Sequence, residues 1–175
     1  MKHLTPADYT RQPWKNGKGV TVELARAEAE GAILWRLSMA TVAEDGPFSL
    51  FPGIERNLTV ISGPGFRLVG DGVALDCRPL VPVAFAGDIA LSAQGTARGK
   101  SDDFNVMTAR HLTRPEVRVT DGPVQFAAGN LLALFALSAG RVNEKALGRH
   151  DLILSEQPIR AEGHFLSVRL TGVTA

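Results

Sequence analysis

The chain has 175 residues, 45% of them hydrophobic, which is enough to bury the core of one domain or of two small ones. Nineteen basic and eighteen acidic residues give a net charge of +1, so binding to nucleic acid or to a membrane surface is not expected. No apolar run is long enough to span a bilayer, and the first residues lack the apolar core of a signal peptide. A single cysteine, Cys77, excludes an internal disulfide and a cysteine-based metal site. These features predict a cytoplasmic protein.

The composition favours an all-β fold. Eighteen glycines and ten prolines separate short runs rich in valine, leucine and isoleucine, a spacing typical of β-sandwiches and β-barrels. A faint repeat supports this prediction, because the strand pattern around residues 58–87 recurs about 75 residues later. Two similar β units in tandem suit two small jelly-roll barrels.

The first part of the chain predicts a surface segment followed by two strands. Residues 1–12 are polar and are predicted to lie across the surface, and a connection is predicted over 27–32. Alternation predicts strands over 20–26 and 33–42. Further strands are predicted over 56–62, 66–69, 73–76, 79–85, 89–93, 117–120, 131–137, 152–154, 159–161 and 165–170.

The segment 45–56 stands out between two predicted strands. Gly46-Pro47 and Pro52-Gly53 mark bends, whereas Phe48 and Phe51 are too apolar for a solvated loop. The segment ends on an arginine, Arg56. We predict that this loop closes a barrel and delivers Arg56.

Familiar catalytic patterns are absent from the sequence. None of the four histidines is paired with another at a metal-binding spacing, so a histidine-based metal site is not expected. The chain also has no Gly-x-Ser-x-Gly elbow and no phosphate loop.

Polar residues on strand faces remain as candidates. In the predicted strands, Glu23 and Arg36 each lie opposite an apolar stripe, and an extended segment would put Asp103 and Asn105 on one face. Together with Arg56, these groups suit a small carboxylate held by bidentate hydrogen bonds. They suit slightly better an internal ion-pair network that only stabilises the barrel. The residue types leave both interpretations open.

Motifs between about residues 14 and 110 carry a family resemblance. They are Trp14-x-Asn16-Gly17-x-Gly19-x-Thr21-x-Glu23, Trp35-Arg36-x-Ser38-x-Ala40, Asp45-Gly46-Pro47-Phe48-Ser49-x-Phe51-Pro52-Gly53-Ile54-x-Arg56, Phe85-x-Gly87-Asp88 and Asp103-x-Asn105-Val106-Met107. In order and spacing they resemble the HutD/Ves family. The last third of the chain shares only the strand pattern.

The resemblance implies an all-β bicupin, with two small jelly-roll β-barrel halves in tandem. The chain would form one compact unit, with halves at about 14–100 and 101–175. It implies a bacterial, cytoplasmic protein without a metal or other cofactor. A regulatory role in histidine utilisation would go with binding of a small carboxylate such as urocanate or formylglutamate. The oligomeric state is left open, with a homodimer as one option.

The polar residues that the resemblance assigns to the ligand site are Trp14, Asn16, Glu23, Arg36, Ser38, Arg56, Asp103 and Asn105. Two other functions stay open. The chain would be a metal-independent isomerase or hydrolase if Glu23 or Asp103 served as a general base. It would be a stress-related interaction protein if the 45–56 loop docked on a partner.

Overall fold

The computed structural model describes residues 1–14, 19–112 and 114–173, and these are almost entirely β-structure. The chain divides into two compact units, Thr10–Arg110 and a second that combines Met1–Tyr9 with His111–Ala175. In chain order the strands are β1 (Lys2–Leu4), β2 (Thr10–Pro13), β3 (Val20–Ala29), β4 (Ala32–Val42), β5 (Gly46–Pro47), β6 (Ile54–Ser62), β7 (Phe66–Gly70), β8 (Val73–Cys77), β9 (Val83–Ala86), β10 (Ser92–Gln94), β11 (Ser101–Ala109), β12 (Glu116–Thr120), β13 (Pro123–Phe126), β14 (Leu131–Ala136), β15 (Gly140–Val142), β16 (Lys145–Leu147), β17 (Leu152–Ser155), β18 (Ile159–Glu162) and β19 (Phe165–Leu170).

The Thr10–Arg110 unit contains two antiparallel sheets. One has the order β2-β3-β4-β11-β6-β9 and the other the order β5-β10-β7-β8. Side chains of both sheets meet in an apolar core, because one face of each strand is rich in large aliphatic and aromatic residues. The core consists of Val42, Leu58, Val60, Phe66, Leu68, Cys77, Phe85, Leu91 and Ala93.

The register of the three central strands of the larger sheet places the polar residues side by side. Asn105 on β11 lies opposite Ser38 on β4, and Met107 lies opposite both Arg36 and Arg56. Residues two apart on a strand share a face, so these side chains form one polar patch. The face predicted for Arg36 and Ser38 is therefore confirmed.

The second unit also contains two antiparallel sheets, in the orders β1-β17-β14-β19-β12 and β13-β18-β15-β16. Strand β14 is buried at every position, as its uniformly apolar sequence predicts. The core of this unit consists of Leu132, Leu134, Ala136, Val142, Leu147, Ile153, Ile159, Ala161 and Phe165.

Some local predictions were wrong. Residues 1–12 contain β1 and most of β2, because β1 pairs with β17 and β2 pairs with β3. The predicted 27–32 connection shrinks to a tight turn in which Glu30 and Gly31 have φ of 53° and 79°. The strand predicted over 79–85 starts only at Val83.

The compact units differ in two ways from the halves predicted at about 14–100 and 101–175. Strand β11 pairs with β4 and β6 and so belongs to the first unit. Strand β1 belongs to the second unit, where His3 Nε2 lies 2.8 Å from Asp151 Oδ2.

Among the residues that the structure describes, no helix is long and apolar enough to cross a membrane.

Candidate functional site

The Thr10–Arg110 unit holds a cavity of about 100 Å³ against the polar face of its larger sheet. Strands β3, β4, β6 and β11 supply its polar side, and the 45–56 loop supplies aromatic side chains. Its lining consists of Trp14, Thr21, Arg36, Ser38, Ala40, Val42, Phe48, Ser49, Phe51, Arg56, Asp103, Asn105 and Met107.

Arg56 is the most buried cation in this cavity, with 6% of its surface exposed. Its guanidinium lies over the rings of Phe48, Phe51 and Phe85, 5.0–5.5 Å from their centroids. One terminal nitrogen donates to Asn105 Oδ1 at 2.7 Å, whereas Nε is buried and has no hydrogen-bond partner among the described residues. Burial lowers the pKa of Arg56 to about 10, so the side chain is still a cation at neutral pH.

Asp103 lies beside Arg56 and is almost fully buried. Its Oδ1 accepts a hydrogen bond from the Asn105 amide, and its Oδ2 has no partner within the described part of the chain. Burial raises the pKa of Asp103 to about 7, and the nearby Arg56 charge only partly opposes this. Asn105 therefore bridges a cation and a carboxyl group that is poised between its two protonation states.

The second arginine of the cavity, Arg36, already has a partner. Its Nε donates to Glu23 Oε2 at 2.6 Å, and both side chains are about nine-tenths buried. Arg26 contacts the other carboxylate oxygen of Glu23 at 3.5 Å. Glu23 does not line the cavity, so its observed role is to hold Arg36 in place.

The 45–56 loop is fixed to the rest of the unit by main-chain hydrogen bonds. The Phe48 N–H donates to the Leu91 carbonyl at 2.8 Å, and the Phe51 N–H donates to the Gly87 carbonyl at 2.7 Å. A side chain on Gly87 would bring a Cβ within 2.7 Å of the Phe51 carbonyl, so only glycine allows this approach. The rings of Phe48 and Phe51 are thus held firmly against Arg56.

The start of the loop is fixed by its acidic residue. Asp45 Oδ1 accepts hydrogen bonds from the backbone N–H and the hydroxyl of Thr96, at 3.0 and 2.7 Å. These bonds favour the charged form and lower the pKa of Asp45.

Trp14 forms another wall of the cavity. Its indole N–H donates to Thr21 Oγ1 at 2.8 Å, which fixes the plane of the ring. A Cβ on Gly19 would lie 2.8 Å from that ring, so the indole packs closely on the glycine backbone. Trp14, Gly19 and Thr21 of the motif thus pack together in one corner.

The structure brings together most of the residues predicted for the ligand site. Glu23 stands behind the cavity as the partner of Arg36, and Asn16 lies outside the described residues. Those that line the cavity are Trp14, Arg36, Ser38, Arg56, Asp103 and Asn105. Their roles in binding remain predictions.

Sequence reasoning missed several walls of the cavity. The loop was expected to deliver Arg56 only, yet Phe48, Ser49 and Phe51 themselves line the space. Thr21 and Met107 were on the correct strand faces but were not selected. The pairing of two aromatics with a following arginine was the signal that could have identified the loop residues.

The chemistry of the cavity suits a small anion. Two arginines line it, one of them with an unsatisfied N–H donor, and the rings of Phe48 and Phe51, which pack on Arg56, line it as well. Among the described residues, no three histidine, cysteine, aspartate or glutamate side chains cluster in a way that could hold a metal ion.

The sequence is similar to a known protein family and to a bacterial relative. The HutD family model matches residues 6–169. A Pseudomonas putida protein described as "Uncharacterized 21.2 kDa protein in hutC 3'region" is 37% identical over 169 residues, or 89% of this chain and 87% of that protein.

Solved structures extend the similarity to the fold. HutD from Pseudomonas fluorescens SBW25 is 32% identical with a TM-score of 0.89, over 97% of both chains. PA5104 from Pseudomonas aeruginosa PAO1 is 31% identical with a TM-score of 0.86, over 98% of both chains. YlbA from E. coli, at 12% identity and a TM-score of 0.73, covers 99% of this chain and 91% of its own, and it shares the fold alone. The predicted all-β bicupin fold is thereby confirmed, and the chain belongs to the HutD family.

Proposed function

We propose that this protein binds a small carboxylate in the Thr10–Arg110 cavity and acts as a non-catalytic, regulatory binding protein of bacterial histidine utilisation in the cytoplasm. One observation supports the proposal more strongly than the others. Arg56 is a buried cation whose Nε–H points to no partner among the described residues, and it lines a cavity. A buried donor without a partner is unfavourable by about 1–3 kcal/mol, and a ligand oxygen would remove that penalty.

The surroundings of Arg56 favour a carboxylate over other anions. The volume of about 100 Å³ admits a small molecule, and the planar guanidinium matches the two oxygens of a carboxylate. Phe48 and Phe51 would cover the hydrocarbon part of such a ligand. Arg36, whose charge is largely balanced by Glu23, would act as a second hydrogen-bond donor, while Ser38 and Asn105 would set the orientation.

Histidine utilisation is proposed from family membership. The matched model and a solved relative both carry the name HutD, and the Pseudomonas putida relative is described by its position beside hutC. Urocanate and formylglutamate are carboxylates and are the first ligands to test. The P. fluorescens HutD structure is described as a formate condition, which makes formate a useful minimal probe.

The test is a calorimetric titration with formate, urocanate and formylglutamate, accompanied by thermal-shift measurements. We expect at least one of the three carboxylates to bind to the wild type, and we expect that binding to be lost in Arg36→Ala. The matched control is Arg118→Ala, which removes an exposed arginine of the second unit and should bind normally. If the wild type and Arg36→Ala respond alike, or if none of the three carboxylates binds, the assignment is wrong.

A purely binding role also requires that the protein leaves the ligand chemically unchanged. NMR spectra of each carboxylate, recorded before and after long incubation with the protein, should be identical. Consumption of any ligand would contradict a non-catalytic role. It would support the metal-independent enzyme instead, with Asp103 as the first residue to test as a general base.

A further inference from the structure

We propose that Asp103 binds the ligand as a neutral carboxylic acid, with its Oδ2–H donating a hydrogen bond to the bound carboxylate. The site would then select monoanions, and binding would be coupled to uptake of one proton from solvent whenever the empty site is ionised. This inference rests on the proposed function and adds to it the charge of the ligand and the source of a second hydrogen-bond donor.

Two buried atoms carry the argument from geometry. Arg56 Nε and Asp103 Oδ2 both belong to residues that line the cavity, and neither has a partner among the described residues. Asn105 links the two side chains by accepting from Arg56 and donating to Asp103. Each of the two atoms exposes less than 1 Å², so an anion would have to displace the atoms that now cover them, and it could then accept from Arg56 Nε and from a protonated Asp103 at the same time.

The charges around Asp103 favour its neutral form when an anion is bound. Arg36 on β4 and Glu23 on β3 form an ion pair and largely cancel. If Asp103 were ionised it would cancel Arg56, and a ligand carboxylate would meet another carboxylate. If Asp103 is neutral, Arg56 leaves one net positive charge, which matches one negative charge on the ligand.

Three other titratable groups near Asp103 affect its pKa differently. Asp102, its neighbour on β11, accepts a hydrogen bond from Thr41 at 2.6 Å, and its charge raises the pKa of Asp103. Cys77 on β8 is a buried thiol whose own pKa is raised to about 12, so it is uncharged at neutral pH. The Arg56 charge and the hydrogen bond from Asn105 lower the pKa of Asp103, and a bound anion would offset the effect of Arg56.

The direction of the pH dependence follows from these charges. Burial raises the pKa of Asp103 to about 7, so the empty cavity is mostly neutral Asp103 below pH 7 and mostly aspartate above it. Anion affinity should therefore be constant at low pH and fall by about tenfold per pH unit well above pH 7.

The test is calorimetric titration of the wild-type protein with formate at pH 8, in two buffers with different enthalpies of ionisation. Formate itself does not titrate near neutral pH. We expect uptake of close to one proton per formate bound, and an affinity about tenfold lower at pH 8.5 than at pH 7.5.

Two variants assign the proton to its residue. Asp103→Asn keeps a donor in the same place, so it should bind formate without proton uptake and with a pH-independent affinity. Asp102→Asn makes the same change at an adjacent residue that does not line the cavity, and it should keep the proton uptake.

The outcomes separate this inference from the proposed function. Formate binding without proton uptake in the wild type would overturn the inference and leave the function standing. Uptake that persists in Asp103→Asn would assign the proton to another group and would also overturn it. Absence of anion binding would overturn both. The wild-type measurement decides the question even if Asp103→Asn fails to fold.

Discussion

Strands β11 and β14 occupy equivalent central positions in their sheets but carry opposite chemistry. Strand β11 lies between β4 and β6, and β14 lies between β17 and β19. Both are almost wholly buried. All six residues of β14 are apolar, whereas β11 buries Asp103 and Asn105. The two strands thus differ in the polarity of the side chains that they bury.

The buried side chains of the two strands contribute differently to the stability of the folded protein. Leucine side chains on β14 fill the interior of their unit and stabilise it. On β11 and β6, by contrast, Asp103 Oδ2 and Arg56 Nε are buried without partners among the described residues, and each reduces stability by about 1–3 kcal/mol. Among the described residues, the buried side-chain nitrogen and oxygen atoms without partners all belong to the unit that contains the cavity, and those of Arg56 and Asp103 belong to residues that line it.

The largest expected effect is a difference in pH dependence. The pKa of Asp103 is raised to about 7, above its value in the unfolded chain, so the folded protein binds this proton more tightly. The contribution of Asp103 is therefore most favourable below about pH 4, is lost progressively between about pH 4 and 7 by on the order of 4 kcal/mol, and is constant above that range. Urea unfolding at pH 4, 6 and 8 should show Asp103→Asn gaining stability relative to the wild type as the pH rises. If the free energies of unfolding of the two proteins changed in parallel with pH, Asp103 could not be a buried carboxyl group with a raised pKa.

The apolar strand should respond differently. Leu134 is fully buried on β14, so Leu134→Ala should lower the free energy of unfolding by about 3 kcal/mol at every pH. Urea unfolding at the same three pH values measures this. Leu50→Ala, at a side chain in the loop that is 53% exposed, is the control and should change little. If the decrease in unfolding free energy caused by Leu134→Ala depended on pH, the predicted difference between β14 and β11 would be wrong.

Binding should depend on Arg56 more than on any exposed arginine. Arg56→Met keeps an apolar side chain beneath the phenylalanine rings but removes the charge, so formate affinity should fall by about 100-fold or more. Calorimetric titration at pH 6.5 measures the change. Unchanged affinity in a folded Arg56→Met protein would place the anion elsewhere.

The smallest effect is expected at Arg118 in the second unit. Its side chain is 74% exposed, and its contact with Glu116 is 3.8 Å long. Arg118→Ser should therefore change the free energy of unfolding by less than about 0.5 kcal/mol and leave formate affinity unaltered. The thermal midpoint and one titration check both. A loss of formate affinity would show that the second unit also recognises anions.

Alternating sequence predicted much of the polar face. The spacing of Arg36 with Ser38, and of Asp103 with Asn105, put each pair on one strand face, and both pairs line the cavity. Local pattern was enough here because a side chain's face on a strand depends only on parity.

The other features of the fold and of the site depend on pairing between segments that are far apart in the sequence, which local patterns do not reveal. The segment that forms β1 looks like a polar surface segment, and only its pairing with β17 makes it a strand. The partnership of Glu23 with Arg36 likewise depends on the register of β3 and β4, including the irregularity after Glu23. Burial of Asp103, which sets its pKa, comes from the packed fold and not from its neighbours in the sequence.

The most direct test of a carboxylate site at Arg56 is a crystal structure of the protein with bound acetate, grown at pH 6. We expect one acetate in the Thr10–Arg110 cavity, with its oxygens about 3 Å from Arg56 Nε and Asp103 Oδ2. Acetate bound only at other places, with that cavity filled by water, would contradict the proposal.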